Sequence, residues 1–83
     1  PALKITPNPA KDEVELELYL TKETKFKLQI TDINGKEIEE EEFSGNGKII
    51  TKINTSSFVS GVYVFSVYDG IRLIGSEKVV IQR

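Results

Sequence analysis

The feature that most limits the fold is a strict two-residue period. In residues 13–20, Val14, Leu16, Leu18 and Leu20 alternate with Glu13, Glu15, Glu17 and Tyr19. Successive side chains of a strand point to opposite faces, so one face is apolar and the other wet, as in a half-buried strand. Phe26, Leu28 and Ile30 repeat the pattern against Lys25, Lys27 and Gln29. If these two segments are sheet neighbours, Glu13, Glu15 and Glu17 face Lys25 and Lys27 on the wet surface. No segment sustains the helical spacing over about ten residues.

Turn residues punctuate the alternation. Asp32-Ile33-Asn34-Gly35-Lys36 contains Asn-Gly, the pair favoured by a type I′ hairpin turn with φ > 0 at both central positions. The returning strand runs from Glu37 to about Ser44, and Ser44-Gly45-Asn46-Gly47 reads as a second turn before the strand Lys48 to Ile53. A Ser/Thr-rich connection, Asn54 to Gly61, leads into Val62 to Tyr68, the most apolar strand. Asp69-Gly70 is a further turn, and Ile71 to Arg83 is apolar at nearly every other position, with Gly75 marking a bulge or a break within it. With Leu3 to Thr6 as a short first strand, the count predicts an all-β, immunoglobulin-like sandwich of about seven antiparallel strands in a Greek key.

Between the first two strands, Pro7, Asn8 and Pro9 pack two prolines around one asparagine. Proline fixes φ near −65° and has no N–H, so the stretch reads as a stiff corner that withholds two donors from any ladder.

The 83 residues form a single domain, 1–83. A chain this size buries only roughly 60–65% of its unfolded surface and has a thin margin of stability, and with no cysteine packing alone must hold it. The 13 acidic and 11 basic residues are spread along the chain for a net charge of −2, which leaves no basic footprint for nucleic acid. The longest apolar runs, Val62 to Phe65 and Val79 to Ile81, fall far short of the ~20 residues that span a bilayer. Pro1-Ala2-Leu3-Lys4 lacks the charged and long apolar regions of a signal peptide. The domain therefore reads as part of a longer precursor.

Histidine and cysteine are both absent, which removes the usual nucleophile–base pairs and transition-metal ligands. No catalytic, cofactor-binding or metal-binding residue is assigned, and the chain is read as a non-enzyme. Glu39-Glu40-Glu41-Glu42 is the one acidic cluster, but alternation sends its carboxylates to opposite faces, so it is read as a solvated strand. Ile38 and Phe43, an odd spacing apart, call for a bulge between them if both are buried. So many charges on one strand also fit a protected sheet edge, and an edge strand offers a route to a dimer. Gly45-Asn46-Gly47-Lys48 lacks the spacing and the following helix of a phosphate loop, and Asn54-Thr55-Ser56 is formally a glycosylation acceptor. Tyr19, Tyr63 and Tyr68 come from different phases of different strands, which favours packing over a sugar platform. Gly61 and Tyr63 in Phe58-Val59-Ser60-Gly61-Val62-Tyr63 match a tyrosine corner, whose ring packs inward and whose hydroxyl bonds to connecting backbone.

Taken in order, Pro7-Asn8-Pro9-Ala10-Lys11-Asp12, the Gly35 hairpin, Thr55 to Tyr63, and Lys78-Val79-Val80-Ile81-Gln82-Arg83 closely resemble the C-terminal sorting domains of type IX secretion substrates in Bacteroidetes. The resemblance covers essentially the whole chain, although Thr6 precedes Pro7 and Phe58-Val59 precedes Ser60-Gly61 where that family often has an aromatic and Leu-Pro. It implies a label that takes a folded N-terminal cargo domain through the periplasm and outer membrane to the cell surface. The implied partners are the outer-membrane secretion machinery with its shuttle protein, and a sortase-like protease that removes the label during surface attachment. By the same resemblance, Pro7, Asn8, Pro9, Gly61, Tyr63 and Lys78, Val79, Val80, Ile81, Gln82, Arg83 are the recognition residues. The last strand is expected to offer its backbone to a receptor by β-augmentation. The rival expectation is an immunoglobulin-like adhesion or carbohydrate-binding accessory module.

Overall fold

The alternating runs form strands, and in two places they fuse into longer ones. The computed structural model describes residues 3–83; Pro1 and Ala2, at the head of the domain range, lie outside the described residues. Among the described residues 77% are in strands or the bridge at Ala10, and none is in a helix. The strands number five. They are β1 (Leu3–Thr6), β2 (Glu13–Asp32), β3 (Glu37–Asn54), β4 (Gly61–Asp69) and β5 (Arg72–Ile81). All pairings between them are antiparallel, in the order β1-β2-β4-β5, with β3 on the other side of β2.

Seven strands were expected, and the difference lies at two turns that do not reverse the chain. Residues 13–20 and 26–30 are one strand, and so are 37–44 and 48–53. Leu20 pairs with Gly47 and Thr24 with Gly45, leaving Thr21, Lys22 and Glu23 against Asn46 alone. This wide bulge, with Gly47 at φ 74°, bends the β2–β3 ribbon without ending either strand. Glu13, Glu15 and Glu17 therefore share a strand with Lys25 and Lys27 and do not face them. Their cations come from β3, in the pairs Lys48–Glu17 and Lys52–Glu13, while Lys27 reaches Glu40 at 3.6 Å.

The β2–β3 hairpin also departs from type I′. Only Gly35 has positive φ, and Asn34 does not. Gly35 N–H bonds to Asp32 O at 3.0 Å, and Asp32 Oδ1 accepts from both Asn34 and Lys36. The carboxylate holds a three-residue loop of type I followed by a left-handed glycine, the other common hairpin solution. At β4–β5 the loop is Gly70-Ile71, with Gly70 alone at positive φ. A register slip leaves Ile74 unpaired beside Gly75, where a bulge was expected, and β1 fits closely there: a Cβ on Gly75 would lie 3.2 Å from that of Leu3.

The bend sets the core. Val14, Leu16 and Leu18 from the first half of β2 and Phe26, Leu28 and Ile30 from the second join Phe65, Val67, Val79 and Ile81 in one buried cluster. Each fully buried aliphatic or aromatic side chain contributes about 1.5–3 kcal/mol, the chief stabilisation in a chain without cross-links. The β3 bulge falls at Ile38, not between Ile38 and Phe43: Glu39 to Phe43 pair regularly with Ile30 to Phe26, and the slip is between Ile30 and Thr31. Ile38 is exposed, so no bulge is needed to bury it.

Candidate functional site

Three segments remote in sequence meet at one end of the sheet: residues 7–12 between β1 and β2, residues 54–63 leading into β4, and residues 78–83 at the end of β5. The prolines cannot pair, so the asparagine between them does. Asn8 Oδ1 accepts from Val80 N–H at 2.9 Å, and Asn8 Nδ2 donates to Lys78 O at 2.9 Å. Past Pro9 the main chain takes over. Ala10 N–H bonds to Val80 O at 2.7 Å, and Gln82 N–H bonds to Ala10 O at 2.8 Å, a parallel bridge opposite Ile81. Both X–Pro bonds, Thr6–Pro7 and Asn8–Pro9, are cis.

These contacts remove the basis for simple strand addition. On the side away from β4, Lys78 O, Val80 N–H, Val80 O and Gln82 N–H are all occupied. A receptor strand would have to displace the Pro-Asn-Pro corner first.

Arg83 closes the junction. Its Nε donates to Phe58 O at 2.7 Å, Nη1 to Asp12 Oδ1 at 2.8 Å, and Nη2 to Lys11 O at 3.1 Å and Thr55 O at 2.5 Å, while its N–H bonds to Ser60 Oγ at 3.1 Å. A planar five-donor fork is suited to several carbonyls at once. Thr55, fully buried, ties the other two segments: its Oγ1 donates to Lys11 O and its N–H bonds to Asp12 O. The Asn54 side chain accepts from Ser56 N–H, turning the chain at this point.

The tyrosine corner is present. Tyr63 Oη donates to Val59 O at 2.6 Å, and its ring stacks obliquely on Phe58 at 5.0 Å. Gly61 begins β4 opposite Ile81.

The named residues divide by exposure. Tyr63, Val79 and Ile81 are core, while Pro7, Asn8, Pro9, Gly61, Lys78, Val80, Gln82 and Arg83 reach the surface. Val80 and Val59 add exposed apolar area. Asp12, Thr55 and Ser60, which complete the junction, lie inside the motifs but are not among the expected recognition residues. The opposite charges of Asp12 and Arg83 within the end motifs were the available signal.

Other candidates stay apart from this junction. Tyr63 is buried, while Tyr19 and Tyr68 border two different pockets, so the three tyrosines form no platform. No group of three or more acidic residues among the described residues is placed to hold a metal ion. Burial raises the Glu39 carboxyl above its ordinary value, with further upward pushes from a hydrogen bond and repulsion at Glu41 on the same face.

The arrangement is that of a small all-β module in which residues 7–12, 54–63 and 78–83 share one surface. The chain belongs to the family of secretion system C-terminal sorting domains, whose family model matches residues 4–82. It is a type IX secretion sorting signal, from a family of sorting tags rather than a catalytic family, and a signal of this kind implies export across the outer membrane. No curated protein and no solved structure gives a significant match to the chain.

Proposed function

We propose that residues 1–83 are the label of a longer precursor, read at the outer membrane in its folded form and then removed by a sortase-like protease as the N-terminal cargo is attached to the cell surface. Recognition falls on the exposed face formed jointly by Pro7, Asn8, Pro9, Lys78, Val80 and Gln82, for which the shuttle protein of the machinery is the expected receptor. One observation supports this reading: the Pro-Asn-Pro corner is hydrogen-bonded directly to the last strand, which joins the two stretches that resemble the family's first and last motifs. The finer likeness to an immunoglobulin-type Greek key belongs to the same proposal, supported by a bent ribbon whose two halves share one core.

Truncating the last five residues is a poor test, because Val79 and Ile81 are 0% and 1% exposed and their loss would unfold the domain. The informative fusion carries residues 1–83 behind a periplasmic reporter, with Lys78→Ala, Val80→Ser and Gln82→Ala as surface variants. In a type IX-competent strain the reporter should reach the surface without its label, and it should stay periplasmic in a strain lacking the translocon. A folded triple variant exported as well as the parent would exclude this face as the receptor site. Periplasmic retention of the parent in both strains would sink the whole reading.

A further inference from the structure

We propose that two copies of this chain associate through the outer edges of β3, paired antiparallel about a two-fold axis at Asn46. Among the described residues β3 pairs with β2 alone, so its other edge is free from Glu37 to Asn54. A long free edge is ordinarily protected by charged side chains, prolines or bulges, and like charges keep copies apart. Here the sign changes along the strand: of the exposed side chains between residues 40 and 52, the charged ones are Glu40 and Glu42 before the bend and Lys48 and Lys52 after it, and Ser44, Asn46 and Ile50 are uncharged. An antiparallel neighbour of the same sequence therefore meets attraction, whereas an in-register parallel neighbour sets glutamate on glutamate and lysine on lysine.

The side chains choose the register. With Asn46 opposite Asn46 of the second copy, Glu40 faces Lys52 twice by symmetry, and Glu42 lies diagonal to both Lys48 and Lys52. On the other face the same register sets Phe43, half-buried in the single copy, against the half-buried Ile49 of its partner. Moving the axis to Gly45 sets Phe43 against Gly47 and Ile49 against Glu41, and moving it to Gly47 sets Ile49 against Gly45. Neither shift joins two apolar side chains at the centre. Existing ion pairs extend the pattern, because Glu40 already reaches Lys27 and Lys52 already reaches Glu13. Across the dimer the charges then run Lys27, Glu40, Lys52, Glu13 in alternating sign. A two-fold axis normal to the sheet also preserves the direction of the bend, so the curled sheets join without a break.

The test uses the whole 83-residue chain, which has no native cysteine. Directly opposed residues of an antiparallel pair have Cα atoms about 4.5–5.5 Å apart, within disulfide reach. Asn46→Cys should thus oxidise rapidly to a linked dimer. Ile71→Cys, fully exposed on the β4–β5 loop, should not. By sedimentation equilibrium, Glu40→Lys with Glu42→Lys, or Lys48→Glu with Lys52→Glu, should weaken dimerisation about 10- to 100-fold, and combining all four should restore it. The pairing is overturned if the chain is monomeric at about 1 mM, if its dimer ignores both charge reversals, or if Asn46→Cys links no faster than Ile71→Cys. Should the fourfold variant fail to fold, the cysteine pair decides alone.

Discussion

Replacing Arg83 by alanine should loosen the junction between the two ends of the chain without touching the core. Four side-chain hydrogen bonds are lost, while the Arg83 N–H to Ser60 remains. They are unequal. The Asp12 carboxylate is 74% exposed, so its ion pair is worth a few tenths of a kcal/mol. Thr55 O keeps the Phe58 N–H as a partner, and Lys11 O keeps Thr55 Oγ1. Phe58 O keeps no other donor among the described residues, and its bond from Nε is part-buried. Taking the ordinary net value of ~1 kcal/mol for each of the two part-buried bonds, because Thr55 O keeps a second donor, plus the exposed remainder, gives a loss of about 2–3 kcal/mol. For a domain of this size each kcal/mol lowers Tm by roughly 4–8 °C, so calorimetry should show a fall of about 10–20 °C. Arg83→Lys, which keeps the charge but not the fork, should recover less than half. A fall below about 2 °C for Arg83→Ala would refute the claim that this side chain joins the segments.

Tyr63→Phe keeps the ring on Phe58 and removes only the bond to Val59 O, so chemical denaturation should show a loss of about 1–2 kcal/mol. Gly35→Ala meets no atom within 4 Å but must hold φ at +86°, so its cost, about 1–2 kcal/mol by the same measurement, is backbone strain alone. For Glu39 the sign follows from its raised carboxyl. Folding disfavours the charged form, so the penalty is absent below the ordinary value of 4.5 and grows as pH rises through the raised one. Glu39→Gln should therefore be more stable than the parent at pH 7, with the difference vanishing in titrations below about pH 4.

What was legible in the sequence was local. Alternation marked the buried positions of β2 correctly, because residues two apart face the same way wherever the strand lies. The tyrosine corner was legible because Tyr63 and Val59 are four residues apart. The count of strands failed where local signals conflict: Gly45-Asn46-Gly47 has the composition of a turn, but three residues of β2 bulging against Asn46 absorb the bend within a continuous ladder. Pairing the β2 glutamates with Lys25 and Lys27 failed for the same reason, since it presumed a reversal between them. The junction was out of reach for another reason. Asn8 and Val80 are 72 residues apart, as are Arg83 and Lys11, and no periodicity carries contacts over that distance. The motifs could be named in order, but not seen to touch.

The most direct test of the joined end motifs compares two variants of similar stability in the secretion fusion. Asn8→Ala removes both side-chain bonds to the last strand at a cost of about 1–2 kcal/mol, and Gly35→Ala costs about as much at the β2–β3 turn. Measured as reporter at the cell surface, with folding of both domains confirmed, Asn8→Ala should lose most export while Gly35→Ala retains it. Equal export by the two variants would contradict the claim that the corner and the last strand form one signal.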